Sequence, residues 1–255
     1  MKTDNTPFFV GYFKVPKKLR PFLLTAGISI AVFLTAFGLV IGATQDDPGD
    51  GAFRFDYGRQ TITGVIEEFP YPLLHVTEGN ANIPAGRTLM MTGAGKDGAM
   101  SRVNAFSGQV VTASGILLER GSLDMLQLRG GRRGISAVED AAPATIPEVE
   151  QLGRWKLAGE ICDGKCLAGA MRPGRGLAHK ACANLCLLGD IPPVFVSTQP
   201  IEGSDFLLVV DKDGGILPKA AYDYVAQFIS LEADIERRGD LLVMRMDVDT
   251  VEVLP

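Results

Sequence analysis

Histidine is almost missing from this chain. Only His75 and His179 occur in 255 residues, which leaves little room for imidazole-based hydrolysis, and no Ser–His–Asp set stands out. No P-loop or dinucleotide-type fingerprint stands out. "GAGKDG" (Gly93–Gly98) lacks the second half of a phosphate loop and reads as a plain turn. Positive charge is short as well. The net charge is -5, and the run Arg129, Arg132, Arg133 is too brief and Gly-rich to make a phosphate-binding stripe. A nucleic-acid partner is therefore not expected. Cysteine is confined to four residues, all inside one stretch of 25.

Long hydrophobic runs are lacking too, with one exception. Pro21 to Ala43 carries no charge over 23 residues. About 20 apolar residues suffice for a helix to cross a ~30 Å hydrocarbon core, so residues 21–43 are expected to form a transmembrane helix. Lys2, Lys14, Lys17, Lys18 and Arg20 against Asp4 leave the first 20 residues at +4, and the other 235 sum to -9. Asp46, Asp47 and Asp50 follow the run. The positive-inside tendency then places a basic tail (1–20) in the cytoplasm and the body in the periplasm, with the helix in a bacterial inner membrane. A cleavable signal peptide competes with this reading, but its apolar region is usually only about 7–15 residues long. Ile41-Gly42-Ala43 also makes a poor small-x-small cleavage site.

The body contains a repeat. "VTASGILLERGSLDMLQL" (Val111–Leu128) lies without gaps over "ISLEADIERRGDLLVMRM" (Ile229–Met246) at an offset of 118. "RTLMMTGAGKDG" (Arg87–Gly98) falls on "DFLLVVDKDGGI" (Asp205–Ile216) at the same offset. Upstream, "TITGVIEE" (from Thr61) matches "KLAGEICD" (from Lys156) at an offset of 95, so the second copy gains about 23 residues between its first two strands. Short strands alternating with Gly-containing turns predict a mainly β protein. Units this short close most economically as small OB-like barrels. The expected layout is a linker (44–58), a first OB-like domain (59–138), a Pro/Ala-rich acidic linker (139–152), and a second OB-like domain (153–255).

That gain coincides with the cysteines, Cys162, Cys166, Cys182 and Cys186, in a Cys/His insert spanning 160–193. "HKACANLCLLG" predicts a short helix, with Gly189 as its C-cap and Pro192-Pro193 as a stop. On it His179, Cys182 and Cys186 share one face. Three chemistries fit. Two disulfides could staple the insert, Cys162 with Cys186 and Cys166 with Cys182, each worth roughly 2–4 kcal/mol. Soft thiolates with one imidazole could instead hold copper or zinc, with Met171 as a nearby thioether. Thiol–disulfide exchange is the third, although Cys182 stands a turn inside the helix rather than at its start. Haem attachment through C-x-x-C-H is absent, and an iron–sulfur cluster is disfavoured because "KKLR" is not a twin-arginine signal.

The string K-C…M-x-P-G-x-G-x-x-H-x-A-C-A-x-x-C…P-P, from Lys165 to Pro193, resembles a family of single-span bacterial envelope proteins whose activity is uncharacterised. The resemblance implies that Cys166, His179, Cys182 and Cys186 form the shared set, with Cys162 often replaced. The resulting expectation is a membrane-anchored, non-catalytic binding or assembly module of an envelope complex, such as a respiratory one, with an envelope protein as partner. A copper or zinc carrier through Cys166, His179, Cys182 and Cys186 is the first alternative. A thiol-disulfide oxidoreductase is the second.

Overall fold

A computed structural model describes residues 15–44 and 49–255. Residues 1–14 of the expected basic tail (1–20), with Lys2, Asp4 and Lys14, and the acidic pair Asp46 and Asp47 lie outside the described residues. The described chain divides into an N-terminal unit and a body made of residues 49–255.

The first unit is helix α1 (Arg20–Thr44), the one described helix long and apolar enough to cross a membrane, with none of its apolar window buried. Phe33 and Phe37, one turn apart, stack along it with ring centroids 5.8 Å apart. A helix apolar on every side either sits inside a protein core or spans a membrane, and this one is a candidate span.

In the body, the first half runs β1 (Ala52–Phe53), β2 (Gln60–Phe69), β3 (Tyr71–Glu78), β4 (Thr88–Thr92), helix α2 (Met100–Val103), β5 (Val110–Arg120), β6 (Leu123–Leu128) and β7 (Ile135–Ala137). Five of these strands close a barrel in the order β2–β3–β4–β6–β5, with β5 returning to β2 and β4 parallel to β6. The second half runs β8 (Val149–Asp163), α3 (Lys180–Leu188), β9 (Pro193–Ile201), β10 (Ser204–Asp211), β11 (Phe228–Arg238), β12 (Leu241–Met246) and β13 (Glu252–Val253). It closes the same way, β8–β9–β10–β12–β11, with β10 parallel to β12.

The registers repeat along with the order. Met90 faces Met125 across β4–β6, and Leu208 faces Val243 across β10–β12. Arg120 pairs Leu123, and Arg238 pairs Leu241. Both hairpins turn through two residues that open on a left-handed glycine, Gly121 (φ 57°) or Gly239 (φ 63°). Such turns match the natural twist of the strands they join. Gly64 lies opposite Val111 in the first barrel, and Gly159 opposite Ile229 in the second.

Each barrel has its own interior. Ile62, Leu89, Met91 and Leu126 fill the first; Ile161, Leu207, Val209 and Met244 fill the second. A third core joins the two, with Leu73, Met90, Leu118 and Met125 from one side and Cys162, Val194, Leu208 and Val243 from the other. Strands β4 and β10 are therefore buried on both faces, which is why "TLMMT" and "FLLVV" read as continuous apolar runs. The two barrels share one compact body because this shared core binds them. The expected linkers shrink accordingly: β1 joins β5 from inside 44–58, and β8 starts at Val149, inside 139–152. Trp155 is 38% exposed on the outer part of β8, not in a core as its apolar bulk would favour.

A buried ionic seam runs along one end of the shared core. Glu67 accepts from His75 Nε2 at 2.7 Å and from the Arg238 guanidinium. Arg238 also reaches Glu236 at 2.7 Å and covers the Phe69 ring, and Arg245 reaches Glu236 at 2.7 Å. His75, with no partner evident in the sequence, is thus a buried member of this seam.

Candidate functional site

Residues 164–192 join β8 to β9, where the first barrel joins β2 to β3 across Pro70 alone. The segment leaves β8 at Asp163, makes one wide π-helical turn (Cys166–Ala170), loops back, and enters α3. Gly169 closes that turn at φ 136°, and a Cβ there would strike the backbone of Ala52. One stripe of α3, Ala183 and Leu187, packs into the interior of the second barrel. The neighbouring stripe brings His179, Cys182 and Cys186 over the Asp163–Cys166 turn.

Donor atoms of Cys166, His179 and Cys182 all lie within 4.8 Å of one another, as do those of Asp163, Cys166 and Cys186. The Sγ atoms of Cys166 and Cys186 are 4.0 Å apart. Asp163 is fully buried and organises the group. One carboxylate oxygen accepts the Cys166 N–H at 2.8 Å; the other accepts from His179 Nε2 at 2.9 Å. His179 is buried too, and its ring is fixed with Nδ1 left over for other work. A carboxylate behind a histidine is the usual outer partner of a metal-ligating imidazole.

The first barrel contributes as well. Its Gly93–Gly98 turn is pinned by the buried Lys165 ammonium, which donates to the carbonyls of Gly93 at 2.7 Å and Gly95 at 2.8 Å. Gly98 N–H donates to the Gly189 carbonyl at 2.6 Å, docking the turn on the end of α3. Gly189 must stay bare, since a Cβ would run into the Lys96 carbonyl. So held, Lys96 donates to Cys182 Sγ at 3.0 Å and to Cys186 Sγ at 3.3 Å. The thiols respond. A hydrogen bond from Cys166, with help from Lys96, lowers the Cys186 thiol to about 7. The Cys166 thiol is pushed up by that same bond and by burial, and the Lys96 ammonium is raised by Cys182.

All four cysteines are free thiols, and neither expected pair, Cys162–Cys186 or Cys166–Cys182, is bridged. Cys162 stands apart. It points into the core between the barrels and donates to Glu160 at 3.2 Å, in the slot that Glu67 fills in the first copy. Burial raises its thiol well above the ordinary range. Met171 is 44% exposed on the surface of the loop. Of the expected set, the structure collects Cys166, His179, Cys182 and Cys186. It adds two residues the sequence reading did not place in the site, Asp163 and Lys96. Asp163 carried a faint signal as a carboxylate three residues before a cysteine, whereas Lys96 carried none, because its turn recurs in the second copy without such a role.

Comparison with protein-family models, with curated proteins and with solved structures finds no match to this chain.

Proposed function

We propose that the chain is a membrane-anchored pair of OB-like barrels that holds a thiophilic metal ion through Cys166, His179, Cys182 and Cys186. The observation that carries this reading is a pair of donor groups, Cys166 with His179 and Cys182, and Cys166 with Asp163 and Cys186, that overlap at Cys166 beside the buried Asp163–His179 pair. A tetrahedral ion with Zn–S bonds of about 2.3 Å keeps its sulfurs about 3.8 Å apart; Cys166 and Cys186 are at 4.0 Å. Copper(I) and zinc both suit such donors. Charge favours zinc: three thiolates and Zn²⁺ leave one negative charge, which Lys96 at 3.0 Å offsets, while copper(I) leaves one more.

The role is non-catalytic: the chain keeps an ion near a membrane for an envelope partner. The basic tail and acidic body support an inner-membrane anchor with the barrels in the periplasm. A doubly stapled insert has less support, since Cys162 lies in the core between the barrels and belongs to neither donor group.

The test is a zinc and a copper(I) titration of the full chain in detergent. A single tight site is expected, weakened more than about 100-fold in Cys182→Ser. Absence of tight binding, or binding indifferent to Cys182→Ser, overturns the proposal.

A further inference from the structure

We propose that Cys166 and Cys186 form a redox switch, and that closing them into a disulfide dismantles the metal site and releases its ion. The inference rests on the metal reading and adds its regulation. These two sulfurs, 4.0 Å apart, are in contact, and they share a small apolar cluster with Ile191. A disulfide needs about 2.05 Å, so the sulfurs must close by about 2 Å. Their backbones are held on both sides of the gap. Asp163 fixes the Cys166 N–H at 2.8 Å, and the Cys186 carbonyl accepts from Gly189 and Ile191, each at 3.1 Å. The remaining donors, Cys182 and His179, are too few to keep a zinc ion.

The chemistry balances with a peroxide as oxidant, a molecule small enough to reach a thiolate that is 2% exposed. The Cys186 thiolate attacks one peroxide oxygen, the O–O bond breaks, and hydroxide leaves, giving a sulfenic acid. The Cys166 thiol then displaces the sulfenic hydroxyl as water, forming the S–S bond. Each sulfur gives up one electron, and with hydrogen peroxide the two thiol protons end in two waters. The Lys96 ammonium, 3.3 Å from Cys186 Sγ, favours the attacking thiolate. An occupied site ties up both sulfurs, so ion and bridge exclude each other.

The test counts thiols under denaturing conditions in metal-free full chain, before and after hydrogen peroxide. Four thiols should become two, with the loss retained in Cys182→Ala and in Cys162→Ala and abolished in Cys186→Ala. A count that stays at four, or a bridge that needs Cys162 or Cys182, overturns the switch. Zinc at about 100 times its Kd leaves about 1% of chains empty and should slow bridging about 100-fold. Bridging at full speed under zinc overturns the mutual exclusion and counts against the metal reading as well. Zinc binding without any bridging overturns the switch alone.

Discussion

The two barrels have the same strand order and the same pairing registers, and only one of them gathers reactive side chains. In the first, Phe69 and Tyr71 flank the single residue Pro70; in the second, residues 164–192 occupy that hairpin tip. The barrel does not depend on the tip, because Gly64 and Gly159 sit in matching pairs whichever connection follows. A hairpin end is therefore a place where a site can be added to a closed sheet without disturbing its register. The second difference lies in the shared core. Glu67 and Cys162 occupy equivalent slots, and so do Leu118 and Glu236. One end of the interface is consequently ionic, with Glu67, Arg238 and Glu236, and the other end apolar, with Cys162 and Leu118.

Making the ionic end resemble the apolar one should have the largest effect. Glu236→Leu copies the residue of the first barrel but takes the carboxylate away from Arg245 and leaves Arg238 with Glu67 alone, so denaturant unfolding should show a loss of about 3–5 kcal/mol. A loss under about 1 kcal/mol would show that the seam does not hold the barrels together. Next, Met90→Ala and Leu208→Ala remove twin side chains from the shared core, both fully buried. Each should cost about 2–5 kcal/mol in the same measurement, and a large disparity between them would break the equivalence of the two copies. Asp163→Asn acts on the feature the first barrel lacks. It keeps the shape but weakens the hold on His179, so zinc affinity should fall about 10–100-fold by competition with a chelator. The smallest effect is expected for Cys162→Ala, about 1 kcal/mol of stability with an unchanged zinc stoichiometry. Loss of zinc from that variant would return Cys162 to the site.

Much of this was readable from residues because the relevant signals are local. The offset of 118 between Arg120-Gly121 and Arg238-Gly239 reappears as matching two-residue hairpins, and the uncharged run reappears as α1. The closeness of Cys166, His179, Cys182 and Cys186 follows from helical spacing plus one turn. What could not be read depends on how the copies meet. Nothing local tells Cys162 from Cys166, yet the pleat turns the first into the interface and the chain reversal after Asp163 turns the second into the site. Lys96 is 86 residues from Cys182 and reaches it only because β4 and α3 belong to barrels packed face to face. Arg238 and Glu67 are likewise 171 residues apart.

The most direct measurement is X-ray absorption at the zinc edge on zinc-loaded full chain. A shell of three sulfurs near about 2.3 Å and one nitrogen near about 2.0 Å is predicted. A shell of oxygen and nitrogen alone, or a chain that retains no stoichiometric zinc, would contradict the account.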